Sequence, residues 1–338
     1  YERIRTFCCF SLLRRMYELG RIRQSLGSDW KAFENILKAA LDSPYTLLSN
    51  IDSYLLDKPG KQLRPVLALC AARICGTPGP LSHAVAAVAE MIHTASLLHD
   101  DVADNADTRR GTLSVQKQYG PRASILTGDY WFARAFVTLL QYQGAFLVPL
   151  YADAIQALSE GEMLQLEKSR TLDLSFKDYY TICKNKTASL FLTAMVSGAL
   201  SVPRPADPSA YRLVFEKAAY HMGMAFQIRD DMMDYQPSVN EGKPYYKDIA
   251  ESKITLPLLG ALSNSGDSEY RPRVVAWIRR LEQGDSKALD QIVEFVDRYR
   301  GLEFAGGVLH HHQLLAREQL SRLPGSPWQE ALLKIAGT

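Results

Sequence analysis

The chain has 338 residues, a length that permits two domains or one large one. Lys and Arg together number 39 and Asp and Glu 37, so the net charge of +2 argues against nucleic-acid binding, which needs a basic excess on one face. Hydrophobic residues make up 47% and charged residues 22%, proportions that exclude a disordered or fibrous chain.

The sequence predicts a soluble cytoplasmic protein without a transmembrane segment. A helix that spans a membrane needs about 18 or more apolar residues in a row. The stretch most similar to such a helix, 187–202, contains several Ser and Thr. Glu2 and Glu18 interrupt the Arg-rich start of the chain, which favours an amphipathic helix over a targeting segment. The five cysteines are scattered, which predicts reduced and mostly buried thiols.

Helical periodicity runs along almost the whole chain. Apolar residues recur at intervals of three and four, as between Leu81 and Ala95, and strand-like alternation is nearly absent, so we predict an all-α fold. Gly and Pro clusters separate the predicted helices at 58–60, 76–80, 120–121, 202–209, 236–244, 264–272 and 324–327. No linker or shift in composition divides the chain, so we predict one domain over residues 1–338.

The first candidate site residues lie in the segment GKQLRP at 60–65. Pro65 favours a first helical position, so Lys61 and Arg64 are expected directly before a helix. Two cations and a helix N-terminus together predict an anion-binding site.

A predicted helix from Leu81 to Leu98 ends at the acidic segment HDDVAD, 99–104. Asp100 and Asp104 share one face of that helix, with Asp101 beside them. Three carboxylates at the negative end of a helix repel one another unless a cation is present. His93 lies two turns before Asp100 on the same face. It is predicted to contact the diphosphate of the metal site inferred below; the alternative is an ordinary core histidine.

A second acidic segment, DDMMD at 230–234, follows another predicted helix, 215–228. It is preceded by Lys186, Thr187 and Gln227. These are either site residues or ordinary polar residues of a helix surface or cap. Cations follow both acidic segments: Arg109, Arg110, Lys243, Lys247 and Lys253. Either acidic segment alone could be a solvated face. Carboxylates suit Mg²⁺, which shares its coordination shell with substrate phosphates, so the two segments together predict a magnesium-diphosphate site.

These motifs resemble those of the trans-isoprenyl diphosphate synthases, the all-α prenyltransferases that build linear polyprenyl diphosphates. The matching segments follow the family's order between about residues 50 and 260. They are GKQLRP at 60–65, IHTASLLHDDVADNADTRRG at 92–111, LTGDYWFARA at 126–135, EGEMLQLE at 160–167, NKTASLF at 185–191, GMAFQIRDDMMDY at 223–235, GKPYYKD at 242–248 and ESKITLPLL at 251–259. The resemblance implies an isoprenoid synthase helical bundle around a deep central cavity, a homodimer, and peripheral helices at 1–45 and 270–338.

The resemblance also implies a role for each matching residue. The aspartates that would hold about three Mg²⁺ on an allylic diphosphate are Asp100, Asp101, Asp104, Asp230, Asp231 and Asp234. The residues that match binders of that diphosphate are Arg109, Lys186 and Lys247, and Lys253 would close over it. The residues that match binders of isopentenyl diphosphate are Lys61, Arg64, His93 and Arg110. Lys186, Thr187 and Gln227 would lie along the carbocation path.

In enzymes of this kind the depth of the pocket below the first acidic segment sets the product length. Ala95 and Ser96 lie about one turn below Asp100 and are small, so we expect the product to grow past them. The next stops would be Met91, Ile92, Phe132 and Phe136. We expect a product near C40, which would need transient membrane contact; a C20–C30 product, such as a geranylgeranyl diphosphate synthase makes, is the alternative.

Two other functions fit the sequence less well. A terpene cyclase shares the fold, but it usually carries a mixed Asn/Ser/Glu motif in place of DDMMD and lacks GKxLRP. A non-catalytic subunit of a heteromeric synthase tends to lose one acidic segment, and both are complete here. His310, His311 and His312 point around a helix and are predicted to lie on the surface rather than to bind metal.

Overall fold

The structure is a computed structural model that describes residues 17–203, 208–235 and 246–337. Lys243, the segment 236–244, Cys8, Cys9 and most of the Arg-rich start lie outside the described residues. Within them the all-α prediction is confirmed. Two-residue strands, β1 (Thr108–Arg109) and β2 (Thr112–Leu113), pair antiparallel with Thr108 opposite Leu113.

Helices form the rest of the regular structure. They are α1 (17–26), α2 (Ser28–Ala40), α3 (Thr46–Asp57), α4 (Leu63–Cys75), α5 (Pro80–Ala103), α6 (Val115–Tyr119), α7 (Pro121–Gln141), α8 (Val148–Thr171), α9 (Phe176–Cys183), α10 (Ser189–Leu200), α11 (Pro208–Asp234), α12 (Lys247–Ala250), α13 (Leu256–Ser265), α14 (Asp267–Glu282), α15 (Ser286–Arg298), α16 (Gly301–Leu320) and α17 (Pro327–Gly337). A 3₁₀ turn, Ala145–Leu147, precedes α8, and a π-helical segment, Lys184–Ala188, joins α9 to α10.

Several helices begin where the sequence supplies a proline or a cap. α5 and α7 begin at Pro80 and Pro121, whose rings fix φ for the first turn. At the start of α9, the Ser175 Oγ accepts a hydrogen bond from the Asp178 N–H at 3.2 Å, and the Asp178 carboxylate accepts one from the Ser175 N–H at 3.0 Å. Local signals of this kind explain why α5 and α7 begin at the predicted breaker positions, whereas α9 begins at a cap that the breakers did not mark.

The chain forms two compact units, here called unit I and unit II. The described part of unit I comprises residues 17–155, 190–203, 208–219 and 317–337. The described part of unit II comprises residues 156–189, 220–235 and 246–316. The single domain expected from the sequence stays a prediction.

The core of unit I surrounds α5, which packs against α2, α4 and α7. α4 is buried on nearly all sides, and α10 lies so close to it that a side chain at Gly198 would collide with the Ala68 carbonyl. Of the described helices, α5 is the one that by length and composition could cross a membrane, and 72% of its most apolar window is buried inside the protein. The nearest approach to a spanning segment is therefore α5, rather than 187–202.

Unit II has its own hydrophobic core, built from α9, α11, α13, α14, α15 and α16. Glycines allow close packing there: a side chain at Gly301 would collide with the Pro257 carbonyl, and one at Gly260 with the Phe304 ring. The prediction of reduced, buried cysteines is confirmed for Cys70, Cys75 and Cys183.

Candidate active site

The first acidic segment lies at the C-terminal end of α5 in unit I, as the sequence predicts. Asp101 is only 3% exposed, and its Oδ1 accepts a hydrogen bond from the Arg109 Nε at 2.7 Å. Asp100 is half-buried, and Asp104 is exposed at the helix C-cap. Asp101 is thus already paired with a cation, whereas Asp100 and Asp104 lie nearer to solvent, where a metal ion could reach them.

The segment GKQLRP forms the start of α4. The helix begins at Leu63, after Gln62 in the left-handed region at φ 41°, so Arg64 lies in the first turn and not before the helix as expected. The reason is that proline is tolerated anywhere in the first turn, where the N–H groups have no intrahelical acceptor. Pro65 therefore does not mark the helix start.

The cationic residues predicted for isopentenyl diphosphate come together in unit I. Arg64 is 8% exposed, and its guanidinium lies 5.4 Å from the Phe191 ring centroid. Burial, followed by the charges of Arg64, Arg110 and Arg109, holds the pKa of His93 well below its usual range. A neutral histidine among three arginines leaves a strongly positive cluster with an adaptable hydrogen-bonding group, a combination that suits an anion.

Arg110 completes this cluster, and the backbone of Lys61 lies beside it. A side chain at Gly60 would collide with the Arg110 guanidinium, so this glycine allows the arginine to lie against the backbone. Arg110 Nη1 also donates to the Lys58 carbonyl at 3.5 Å. The Lys61 side chain is exposed, and its backbone carbonyl accepts a hydrogen bond from the Arg23 guanidinium.

Sequence reasoning missed Glu90 and Arg23, which belong to the same cluster. Glu90 lies one turn before His93 on α5 and is 4% exposed. Its charge acts on Arg23, Arg64 and Arg110. The sequence feature that could have identified Glu90 is its position on the same face as His93 of an otherwise apolar helix.

The second acidic segment lies at the end of α11 in unit II, where a chain of hydrogen bonds holds Asp231. The Tyr179 hydroxyl donates to Asp231 Oδ2 at 2.6 Å, and Gln227 Nε2 donates to Asp231 Oδ1 at 2.9 Å. Thr187 in turn donates to Gln227 Oε1 at 2.7 Å. Burial raises the pKa of Asp231 to about 7. The predicted Thr187 and Gln227 therefore do lie beside the second acidic segment.

The other two aspartates of this segment differ in their surroundings. Both carboxylate oxygens of Asp234 accept backbone hydrogen bonds, from Lys247 N at 2.9 Å and Asp248 N at 3.1 Å, so Asp234 caps α12. Asp230 is exposed. Asp248, to which sequence reasoning gave no role, is half-buried near them, and burial followed by the Asp231 charge raises its pKa well above the usual range.

A cavity of about 150 Å³ in unit II brings these groups together. Its acidic lining residues are Asp230, Asp231 and Asp248, its basic ones are Lys168, Lys186 and Lys253, and its polar and apolar ones include Gln165, Gln227, Leu174, Ile182 and Ile254. Lys247 is not among the lining residues, and its Nζ lies 3.2 Å from Glu251 Oε1. The cavity thus combines carboxylates and ammonium groups beside apolar walls.

Lys186 lies on the π-helical segment that joins α9 to α10. Its Nζ donates to Gln165 Oε1 at 2.6 Å and pairs with Glu162 on α8. A side chain at Gly161 would collide with Lys186, and one at Gly223 with Ala188, so two glycines make room for this segment. π-helical turns are rare and frequently occur at functional sites.

The described residues contain no group of three or more His, Cys, Asp or Glu side chains arranged to hold a metal ion. Mg²⁺ usually binds through one or two carboxylates and completes its shell with water and substrate phosphate. Asp100 with Asp104, and Asp230 near Asp248, fit that type of site when a diphosphate supplies the remaining oxygens.

Comparison with known proteins places this arrangement in a family. The sequence profile of the polyprenyl synthetase family matches residues 45–296. The chain belongs to the polyprenyl synthetase family. It is a prenyltransferase, and the predicted isoprenoid synthase fold is confirmed.

Individual relatives span different products. The chain is 34% identical to the octaprenyl diphosphate synthase of Haemophilus influenzae over 90% of this chain and 91% of the relative. It is also 34% identical to a short-chain isoprenyl diphosphate synthase of Methanothermobacter thermautotrophicus, over 90% of this chain and 93% of that relative. Among solved structures, a polyprenyl synthase from Caulobacter crescentus, complexed with calcium and isoprenyl diphosphate, has a TM-score of 0.85 and 31% identity over 94% of this chain and 96% of that one.

The residues predicted to set product length in this prenyltransferase lie on α5 and α7 of unit I. Met91, Ile92 and Ala95 are fully buried. The half-buried Ser96 donates its hydroxyl to the His93 carbonyl at 2.9 Å. Two half-buried rings, Phe132 and Phe136, lie on α7, and the Phe132 ring centroid is 5.6 Å from that of His99. Their role as a pocket wall stays a prediction.

The prediction of a surface position is wrong for one of three consecutive histidines. His310 and His311 are exposed, but His312 is buried, and its Nδ1 lies 2.9 Å from His221 Nδ1. Burial lowers the pKa of His312 to about 4. The reason is geometric: successive residues lie about 100° apart around a helix, so three in a row span about 200°, and one of them meets the core.

Proposed function

We propose that this prenyltransferase condenses isopentenyl diphosphate with an allylic diphosphate in a Mg²⁺-dependent reaction and elongates the product to about C40. The observation that carries the proposal is the unit II cavity, where three aspartates and three lysines surround a small space with apolar walls. Acidic and basic groups together suit a dication and a diphosphate bound side by side.

Mg²⁺, when bound, would neutralise the negative charge that develops on the departing allylic diphosphate. In our proposal about three ions would be held by the aspartates of the two acidic segments, Asp100, Asp101, Asp104, Asp230, Asp231 and Asp234. Asp231 and Asp234 would do so only in part, because hydrogen bonds already occupy their carboxylates.

The chain's own cations would act on the same diphosphate. Lys186 and Lys253 line the cavity, and each is oriented by an ion pair with a glutamate, Lys253 with Glu251 at 2.7 Å. Donors fixed before the reaction stabilise developing charge without reorganising. Arg109 and Lys247 are assigned to the allylic diphosphate by family resemblance, and Arg109 is oriented by Asp101.

Isopentenyl diphosphate would bind in unit I through Lys61, Arg64, His93 and Arg110. Arg64 and Arg110 supply fixed positive charge, and the neutral His93 supplies a hydrogen bond. The double bond of isopentenyl diphosphate would attack the ionised allylic carbon, and the released diphosphate would remove the final proton. Because a bound product supplies the base, no His-carboxylate pair is required.

The walls of the unit II cavity protect the ionised allylic group from water. Leu174, Ile182 and Ile254 form its apolar part, and Thr187 and Gln227 orient each other through a 2.7 Å hydrogen bond. Excluding water prevents hydrolysis of a reactive intermediate. We assign Thr187 and Gln227 to the path of the carbocation.

The small side chains of Ala95 and Ser96 support a long product, near C40. A C20–C30 product is the second candidate, because a relative named as a short-chain synthase is as similar to this chain as one named as an octaprenyl synthase. The name of each belongs to that protein, and only the product of this chain distinguishes the two.

We also propose a cytoplasmic homodimer with transient membrane contact during product release. Leu126, Val137 and Leu140 form an exposed apolar face on α7, and Phe146 beyond the helix is exposed as well. Exposed apolar faces of this kind are typical of protein interfaces. A second copy of the chain is the partner we assign to it.

The test is a product assay. Purified protein is supplied with Mg²⁺, labelled isopentenyl diphosphate and, in separate reactions, C10, C15 or C20 allylic diphosphate, and the products are dephosphorylated and separated by length. We expect products near C40 from each starter that is accepted. Products of C20–C30 would support the second candidate, and no condensation with any starter would refute the proposed function.

A further inference from the structure

Tyr179 is a buried tyrosine that no step of the proposed reaction uses. It lies on α9, is 4% exposed, and is among the residues that line the unit II cavity. Its hydroxyl donates a hydrogen bond to Asp231 Oδ2 at 2.6 Å, a distance typical of a hydroxyl that donates to a carboxylate. Such a charge-assisted bond is stronger than one between neutral groups. Tyr179 therefore fixes the carboxylate of Asp231, which is itself only 3% exposed.

The Asp231 carboxylate is the centre of a hydrogen-bond chain with a defined direction. Tyr179 donates to one carboxylate oxygen, and Gln227 Nε2 donates to the other at 2.9 Å. An ionised carboxylate accepts hydrogen bonds and donates none, so it keeps the NH₂ group of the Gln227 amide turned towards itself. The other end of that amide, Oε1, accepts a hydrogen bond from the Thr187 hydroxyl at 2.7 Å. The chain therefore sets which end of the amide faces Asp231 and which faces Thr187.

The far end of the chain lies on the π-helical segment, which packs closely against α11. A side chain at Gly223 of α11 would collide with Ala188, the residue after Thr187. Thr187 is 6% exposed, so its side chain has little room to move. An amide oxygen that faces a developing cation stabilises it through its partial negative charge, whereas an NH₂ group in the same place would oppose it. The orientation of the Gln227 amide therefore matters for a reaction that passes through a carbocation.

We propose that Tyr179 is a positioning residue for condensation. Through Asp231 it holds the Gln227 amide with its oxygen, and not its NH₂ group, towards Thr187 and the path of the carbocation. The inference rests on the proposed function, which assigns Gln227 and Thr187 to that path. Tyr179 acts through Asp231 and Gln227, and its hydroxyl does not contact the reacting carbon.

The test substitutes Tyr179→Phe, which removes the hydroxyl and keeps the ring. We expect kcat to fall at least about tenfold, the usual effect of losing a hydrogen bond to a charged group. The KM for each diphosphate and the Mg²⁺ concentration for half-maximal rate should change by less than about threefold, because the chain acts on the cation and not on the diphosphates. A folded variant with unchanged kcat would overturn the proposal. Recovery of kcat at high Mg²⁺ would also overturn it, because Tyr179 would then serve metal binding.

Tyr180→Phe is the matched control, because Tyr180 is the next residue of α9 and loses the same atom. The Tyr180 side chain is half-buried, and its ring centroid lies 6.0 Å from that of His312. We expect kcat and both KM values to stay unchanged in this variant. A fall in kcat equal to that of Tyr179→Phe would mean that loss of any tyrosine hydroxyl from α9 disturbs the site, and would overturn the proposal.

A double-mutant cycle tests whether Tyr179 acts through Gln227. Gln227→Met keeps a side chain of similar length and leaves no amide to orient. In that background we expect Tyr179→Phe to lower kcat further by less than about threefold. A fall of about tenfold in both backgrounds would show that Tyr179 acts independently of Gln227, and would overturn the proposal.

Two further measurements keep the proposal testable if Tyr179→Phe does not fold or the enzyme shows no turnover. Replacing Tyr179 by 4-aminophenylalanine keeps a donor in the same place, and we expect kcat within about threefold of the wild-type value; a folded variant with a tenfold lower kcat would overturn the proposal. The same double-mutant cycle can be measured as Tm values of the protein without Mg²⁺ or substrate, and we expect the two Tm shifts not to add. Such coupling in a protein that forms no product would show that the proposed function fails while Tyr179 still positions Gln227, whereas strictly additive Tm shifts would overturn this inference.

Discussion

Replacing Ala95 by Phe tests whether the residues around Ala95 limit the length of the product, as we propose. Ala95 is fully buried on α5, five residues before Asp100, which places it about 7.5 Å along the helix axis from the first acidic segment. An extended isoprene unit adds about 5 Å, close to one helical turn of about 5.4 Å. A ring at Ala95 therefore leaves room for a tail of only about two units, and one further condensation gives about C15 to C20.

The assay compares product lengths along a size series at this position. Ala95→Ser is the matched control of nearly equal volume and should leave products near C40, Ala95→Leu should give intermediate lengths, and Ala95→Phe the shortest. Overpacking a buried site costs about 1–3 kcal/mol, so circular dichroism and the rate of the first condensation must show that each variant folds and reacts. An active Ala95→Phe enzyme with an unchanged product distribution, or a wild-type enzyme that stops at C15, would refute this reasoning.

Three other predictions concern the two diphosphate sites and the pH dependence of stability. Arg64→Ala should raise mainly the KM for isopentenyl diphosphate and Lys186→Ala should lower mainly kcat, in steady-state kinetics; equal effects on both substrates would contradict the division of roles. Burial raises the pKa of Asp52 to about 6, so the free energy of unfolding should fall by up to about 3 kcal/mol as the pH rises from about 4 to 6, and Asp52→Asn should abolish that fall in thermal melts. Burial lowers the pKa of His312 to about 4, so the neutral His312 side chain should contribute to the free energy of unfolding above about pH 6.5, and this contribution should be lost as the pH falls from about 6.5 to 4. A His312→Gln variant whose melting temperature keeps the wild-type acid sensitivity would contradict this prediction.

The sequence predicted those parts of the fold and site that depend on local patterns. The periodicity before Asp100 and Asp230 predicted helices α5 and α11, and each acidic segment does lie at a helix end. Thr187 and Gln227 were expected near the second segment, and hydrogen bonds connect them to Asp231. Helical spacing and helix ends are encoded within a few residues, so one sequence is enough to detect them.

The sequence could not predict contacts between distant segments. Nothing near Glu90 in the sequence indicates that its charge acts on Arg23 and Arg110, because the packing of unit I brings these residues into one region. Tyr179 binds Asp231 across 52 residues of sequence for the same reason. Asp248 lies between two lysines in the sequence, and only the fold brings it to the cavity that Asp230 lines.

In the proposed function, both acidic segments hold the metal on which condensation depends. The most direct measurement is Mg²⁺-dependent turnover of the wild-type enzyme and of Asp100→Ala and Asp230→Ala, with Asp107→Ala as the control, since Asp107 is a nearby exposed carboxylate paired with Lys117 at 3.0 Å. We predict that a chelator abolishes wild-type activity, that Mg²⁺ restores it, and that each of the first two variants keeps its fold but loses about 10³-fold in turnover while the control does not. Turnover near the wild-type rate in either folded variant, or in excess chelator, would contradict the account.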